Sequence, residues 1–154
     1  MKPSYYRLKQ FLSENDVKKL LQIAYSVPDN EWYVHRSTQS GELSPLHFYG
    51  LSEKFMGRKS LLLMIKPGAI QKWHTDMKGR NTVLIYPLTE NYAPCLTEEG
   101  EVSFPAFINT QRKHAVYNND NIRINLQVQF DENINECIDI FEKAESYEFD
   151  TSRL

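Results

Sequence analysis

Nine consecutive residues, Ile122-Arg123-Ile124-Asn125-Leu126-Gln127-Val128-Gln129-Phe130, alternate apolar and polar without an exception. Side chains of an extended chain point alternately to opposite faces. Ile122, Ile124, Leu126, Val128 and Phe130 therefore share one face, and Arg123, Asn125, Gln127 and Gln129 share the other. Two settings satisfy such a strand. In one its polar face meets water; in the other a helix covers the apolar face and the polar face lines a cavity. The stretch from Glu31 to Phe130 has a matching texture, with short aromatic and branched runs separated by Gly, Pro, Asn and Asp. Candidate strands are 31–36, 59–66, 70–76, 81–88, 101–109, 113–117 and 122–130. Many short strands so spaced predict a mainly β fold, a sandwich or a small barrel.

Helical patterns flank this region. Ser13 is a good N-cap for a helix over 13–26, and Asp16 can reach back to it in a capping box. Val17, Leu20, Leu21 and Ala24 follow helical spacing, and Pro28 lies just beyond the end. A second helix is expected over 133–145, where Ile134, Cys137, Ile138, Phe141 and Ala144 repeat the pattern. Residues 148–154 read as a C-terminal tail. At 154 residues the chain suits a single domain spanning 1–154.

Lys plus Arg (18) nearly balance Asp plus Glu (20), for a net charge of −2. That balance lacks the excess positive charge on which nucleic-acid binders depend, so no nucleic-acid partner is expected. No apolar run approaches the roughly 20 residues that cross a bilayer, and no membrane partner is expected. The first residues carry no apolar core of a secretory signal, and Cys95 and Cys137 have no CxxC spacing. A reduced, cytoplasmic protein is the simplest expectation.

The chemistry-bearing pattern is Trp73-His74-Thr75-Asp76, on or at the end of a predicted strand. Residues i and i+2 of a strand project from one face, so His74 and Asp76 can grip one ion. A second imidazole can come from His114. Two histidines and a carboxylate on one face of a metal leave adjacent positions open, which is the facial triad of non-haem Fe(II) oxygenases. A His-x-Asp pair alone is a weak signal; Arg123, nine residues after His114, strengthens it. If 118–121 form a hairpin loop, Tyr117 pairs with Ile122, Val116 with Arg123 and His114 with Asn125. Arg123 then shares a face with His114. A guanidinium there would hold a carboxylate bidentately, and the two features together describe a pocket for a chelating diacid.

The run Ile65-Lys66-Pro67-Gly68-Ala69-Ile70-Gln71-Lys72-Trp73-His74-Thr75-Asp76, then His114-Ala115-Val116-Tyr117-Asn118, then Arg123, resembles the Fe(II)/2-oxoglutarate-dependent dioxygenases. It is most similar to their aspartyl/asparaginyl β-hydroxylase branch, with a Pro-Gly turn before the first ligand and an arginine after the last histidine. The resemblance covers about residues 60–130. It implies a cupin-like double-stranded β-helix, or jelly roll, with flanking N- and C-terminal helices. It also implies Fe(II) held by His74, Asp76 and His114, and 2-oxoglutarate held at its distal carboxylate by Arg123. Arg80 is the implied partner of the cosubstrate's other carboxylate, at a shorter spacing than the branch uses. Leu63 stands where the branch often has a serine that assists the distal carboxylate. Asp76 makes the chain resemble the full-triad relatives, including those acting on free amino acids.

The activity so implied is hydroxylation of an aliphatic C–H of an amino acid, free or peptidyl, with release of succinate and CO2. The short chain favours a small molecule or a short flexible peptide as substrate. Two other readings stand beside it: a cupin-like metal protein with non-oxidative chemistry, and a non-catalytic jelly-roll binding module. Trp73 should point away from His74 by alternation, into the core. Tyr86 reads as a core tyrosine that could instead face the cavity. His35-Arg36 and His47 read as surface residues or parts of a substrate lid, and Arg112-Lys113 as a solvated strand edge or an attractor of acidic substrate.

Overall fold

A computed structural model of the chain describes residues 2–36, 43–144 and 149–154. The chain runs through β1 (Tyr5–Arg7), α1 (Glu14–Ser26), β2 (Tyr33–Arg36), β3 (Leu43–Phe55), β4 (Arg58–Ile65) and β5 (Ile70–His74). It continues through β6 (Thr82–Pro87), β7 (Cys95–Thr97), β8 (Gly100–Val102), β9 (Ala106–Asn109), β10 (His114–Tyr117), β11 (Arg123–Phe130) and α2 (Ile134–Lys143). Among the described residues these strands form a seven-stranded sheet, β1-β9-β6-β11-β4-β3-β2, and a four-stranded sheet, β5-β10-β7-β8. Their pairings are antiparallel throughout. Two such sheets carrying helices on one outer face make a mainly β, cupin-like double-stranded β-helix, the jelly roll expected above.

β11 is the pivot of the larger sheet. It is bonded along both edges, to β4 and to β6, and its two faces serve different layers. Ile124, Leu126, Val128 and Phe130 pack with Leu20 and Ala24 of α1 and with Ile134, Cys137 and Phe141 of α2. Phe107, Phe130 and Phe141 meet edge to face, with centroids 4.7 Å (107–141) and 5.4 Å (107–130) apart, a geometry that aromatic quadrupoles favour. On the opposite face Arg123, Asn125 and Gln127 are also buried. Of the two settings open to this strand, the fold takes the second: helices cover the apolar side and the polar side looks into the interior. Beside that polar row lies a second apolar cluster, Val83, Ile85, Cys95, Val102, Ala106 and Ile108, contributed by both sheets.

The hairpin expected between 113–117 and 122–130 does not form. β10 pairs with β5 and β7, and β11 lies in the other sheet. The reason is the Asn118–Asn121 connection. The Asn118 amide donates to the carbonyls of Ile65, Lys66 and Asn121, and Gly68 N–H donates to Asn119 O. These bonds tie the segment to the Pro67-Gly68 turn and carry the chain from one sheet to the other. In that turn Ala69 N–H returns to Lys66 O, and Gly68 has φ 73°, a position where any Cβ would be strained.

Other boundaries shift for local reasons. The expected strand 101–109 is split into β8 and β9 by Ser103-Phe104-Pro105, where Pro105 O accepts from Leu8 N–H. β1, β3 and β7 were not anticipated. Both helices carry complete capping boxes, Ser13 with Asp16 and Asn133 with Glu136. The supposed tail is partly structured: Phe149 is buried, Thr151–Arg153 form a short 3-10 turn, and Thr151 Oγ1 donates to Asp16 Oδ1 at 2.6 Å. Among the described residues no helix is long and apolar enough to cross a membrane.

The Asp16 carboxylate thus serves both the helix cap and the C-terminal anchor. Its pKa is held below 3.8, chiefly by Thr151 and against a smaller opposing effect of burial, with further help from Ser13. A carboxyl whose folded value is depressed contributes stability fully above about pH 4 and loses it as pH falls through the folded value. Thr151→Val should therefore cost about 1 kcal/mol at pH 7 and show a smaller further loss on acidification than the parent. Urea unfolding at pH 7 and at pH 3 checks both statements.

Candidate metal centre

His74 ends β5 and stands directly across the ladder from His114, the first residue of β10. Cross-strand partners share a face, so both imidazoles are presented together, their ring centroids 4.3 Å apart. Asp76 lies two residues beyond the end of β5. Its N–H donates to Thr110 O at 2.8 Å, which holds the chain against the β9–β10 connection. The buried Thr110 in turn donates its hydroxyl to Arg80 O. The result places Asp76 Oδ1 3.2 Å from His114 Nε2 and 3.5 Å from His74 Nε2. Of the residues singled out in the sequence, His74, Asp76 and His114 are brought together, with one ligand-type atom from each within 4.8 Å of the others.

Proton accounting shows what this cluster suits. His74 Nδ1 lies 2.6 Å from Lys72 O, and His114 Nδ1 lies 2.9 Å from Arg112 O. A carbonyl only accepts, so each Nδ1 carries a hydrogen and donates it. In the neutral rings the proton-free nitrogens are then the two Nε2 atoms, the pair that faces Asp76. Two nitrogen lone pairs and an anionic oxygen at such distances repel unless a proton or a cation lies among them. Metal–ligand bonds of about 2.1 Å at angles of 90° or a little more set neighbouring donors about 3.0–3.4 Å apart. The three residues therefore fit a divalent metal, and the backbone acceptors behind the rings are the outer contacts that fix metal-binding histidines.

The same crowding sets the titration. Burial works to raise the Asp76 pKa, but hydrogen bonds from the His114 and His74 rings, when these carry a proton on Nε2 as well as Nδ1, outweigh it and take the carboxyl down to about 2. For His74, burial works to lower the pKa, and the hydrogen bonds with Asp76 and Lys72 O together with the Asp76 charge more than offset it, leaving the imidazole above 6.5. Gln71, on the same edge strand, sets its amide nitrogen 3.1 Å from His74 Nε2. As the donor of that pair it guards the lone pair a metal would use. Sequence reasoning missed Gln71, although its place three residues before His74 was legible.

Arg123 opens β11 and is 2% exposed. Its Nε donates to Ala93 O at 2.8 Å, its Nη1 donates to Asn125 Oδ1 at 3.2 Å, and its guanidinium lies 4.0 Å over the Tyr92 ring. Tyr92 OH donates to the same Asn125 oxygen. Among the described residues no carboxylate pairs with this buried cation. Cys95 lies in the interior: burial pushes its thiol up to about 11, with Arg123 opposing that rise and Asp76 adding to it. Both charges thus act on one thiol in the interior. Asn125 was visible as a neighbour on the polar face; Tyr92, in a loop, carried no signal.

The remaining candidates fall elsewhere. Arg80 is exposed, on the turn after Asp76. Leu63 is buried opposite Asn125. Trp73 is not in the core but 45% exposed, because β5 is the outer strand of the smaller sheet. Tyr86 belongs to the cluster under the helices, not to the cavity, with its hydroxyl at Leu12 N–H. His47 pairs with Met64 and so lies on the helix-covered face of its sheet. Arg112 is engaged by Glu98 and Glu99. The side chains of His35 and Arg36 lie outside the described residues. A cleft of about 980 Å3 bordered by Arg7, Lys9, Tyr86, Phe104 and Pro105 contains none of the candidate ligands.

No protein-family model matches the chain, and no curated protein does. Solved structures do. A Pseudomonas putida prolyl-4-hydroxylase superposes with a TM-score of 0.62 at 14% identity, over 82% of this chain and 92% of that one. A viral collagen prolyl hydroxylase from Paramecium bursaria Chlorella virus-1, solved in complex with 2OG, gives 0.55 at 12% identity, over 82% and 95%. At these identities the likeness is one of fold, and it is the jelly roll already described.

In the metal-free protein the His74 imidazole should titrate above 6.5, and Asp76→Ala should lower that value by removing the carboxylate that raises it. Histidine-resolved NMR titration of the two proteins measures the difference.

Proposed function

We propose that the chain is an Fe(II)- and 2-oxoglutarate-dependent oxygenase that hydroxylates an aliphatic C–H of an amino acid, free or peptidyl. The observation that carries this reading is the convergence of two Nε2 lone pairs and one carboxylate, with both Nδ1 atoms already engaged by backbone carbonyls. The buried Arg123, free of any carboxylate among the described residues, supports it, as does the fold shared with two proteins described as prolyl hydroxylases. The overall conversion balances as 2-oxoglutarate + O2 + R–H giving succinate + CO2 + R–OH. Bound iron supplies the activation of dioxygen.

The chain's own residues supply the rest. His74 Nε2, Asp76 Oδ1 and His114 Nε2 would hold the metal. Arg123 receives the distal carboxylate of 2-oxoglutarate, held in orientation by Ala93 O, Asn125 and the Tyr92 ring. Arg80, exposed on the turn that follows Asp76, is the cation proposed for the cosubstrate's other carboxylate. Gln71 must give up its contact with His74 Nε2 when the metal enters. The aspartyl/asparaginyl branch rests on the residue pattern alone, so aspartyl, asparaginyl and prolyl substrates all belong in a screen.

Anaerobic addition of Fe(II) and 2-oxoglutarate should give a weak visible charge-transfer band. His74→Ala and His114→Ala should abolish both iron binding and succinate release; full succinate release in either variant would remove the assignment. Arg123→Ala should keep iron and raise the 2-oxoglutarate requirement roughly tenfold to a hundredfold. That is the equivalent of one charged hydrogen bond of about 1.5–3 kcal/mol. Titration of succinate release against 2-oxoglutarate reads that shift.

A further inference from the structure

The smaller sheet presents an unusual outer strand. β5 pairs with β10 on one side, and among the described residues no strand pairs with its other edge. Exposed large apolar side chains gather here: Ile70, Trp73 and Tyr117 are about half exposed and Met77 is 75% exposed. Trp73 adjoins His74, Met77 adjoins Asp76, and Tyr117 sits across the ladder from Ile70. Lysine on an edge strand discourages indiscriminate pairing, and Lys72 in that place would admit an acidic partner more readily than a basic one. Lys72 does not account for Ile70, Trp73 and Met77, which make a free edge more adhesive unless something covers it.

Charge narrows what covers it. Lys66, Lys72, Lys78 and Arg80 are all exposed, and the acid within residues 66–80 is Asp76, whose Oδ1 faces the two imidazoles. This segment is locally cationic on a chain whose net charge is −2. A backbone edge that no described strand pairs with, apolar side chains beside it and lysines around it match an extended, acidic polypeptide segment added as a strand. A small zwitterionic amino acid would need none of this surface.

We propose that the substrate is peptidyl: an extended acidic segment lies along β5, with apolar side chains on Trp73 and Met77 and carboxylates near Lys66, Lys72 and Lys78. That alignment carries one of its residues past the metal centre. The inference rests on the oxygenase reading for the word substrate, and on the surface alone for the docking.

The test uses the full chain and two fluorescein-labelled pools of 12-residue peptides that share apolar positions, one with Glu and Asp at the remaining sites, the other with Lys. Fluorescence anisotropy should show the acidic pool binding and the basic pool at least roughly tenfold weaker, with binding weakened by added salt. The double variant Lys66→Glu/Lys78→Glu should lower acidic-pool affinity roughly tenfold while its bound iron, read by metal analysis, is unchanged. Equal binding of both pools, binding of neither, or a dimer in sedimentation that blocks Trp73 would overturn the inference. Succinate release driven by free amino acids without peptide binding would overturn it while leaving the oxygenase reading intact. Selective acidic-peptide binding with no iron-dependent succinate release would support the docking surface and sink the oxygenase reading.

Discussion

β11 is hydrogen-bonded on both edges and buried on both faces, and the rest of the molecule follows from how its two faces are satisfied. The apolar face needs a cover, which α1 and α2 provide. The polar face cannot be left against hydrocarbon, because a buried polar group without partners costs several kcal/mol. Arg123 and Asn125 therefore bond to each other, to Ala93 O and to Tyr92. The guanidinium is thereby fixed in the interior with no carboxylate beside it among the described residues.

The candidate metal centre obeys a similar logic in the smaller sheet. Each histidine is oriented by a carbonyl two residues earlier in its own chain, Lys72 for His74 and Arg112 for His114. Local backbone geometry thus decides which nitrogen is free, and the ladder pairing of His74 with His114 decides that both free nitrogens point the same way. Asp76 is placed by a single main-chain bond to Thr110.

Features encoded locally were legible in the sequence. Ser13 with Asp16 and the alternation of 122–130 depend on residues close in the chain, and both appear in the fold. His74 and Asp76 do converge, but not as one strand face, because β5 ends at His74 and Asp76 is set by its bond to Thr110. The path of the chain after His114 was not legible. Asn118-Asn119-Asp120-Asn121 has the chemistry of a hairpin turn, and bonds to residues far away in the chain, among them Asn118 to Ile65 and Lys66 and Gly68 N–H to Asn119 O, convert it into a crossover between sheets. β3 was hidden for another reason. Its pairing with β4 shifts register between Gly50 and Lys54, so no unbroken alternation marks it. The hairpin parity that would set Arg123 and His114 on one wall fails with the hairpin: they stand in different sheets, β11 and β10.

The two sheets divide their tasks by what covers them. The larger sheet has helices outside and the second sheet inside, and the aromatic cluster of Phe107, Phe130 and Phe141 lies in its outer layer. The smaller sheet contributes Cys95 and Val102 to the interior cluster, but on β5 and β10 it leaves Ile70, Trp73 and Tyr117 in contact with solvent. The candidate ligands sit on this thinner wall. A metal buried under the helices would be inaccessible to any substrate larger than a gas, and one on the outer surface would lose the dry surroundings that strengthen its electrostatics. Placing the ligands at the ends of β5 and β10 meets both demands: His114 is buried at the inner side, and His74 and Asp76 are partly open at the rim.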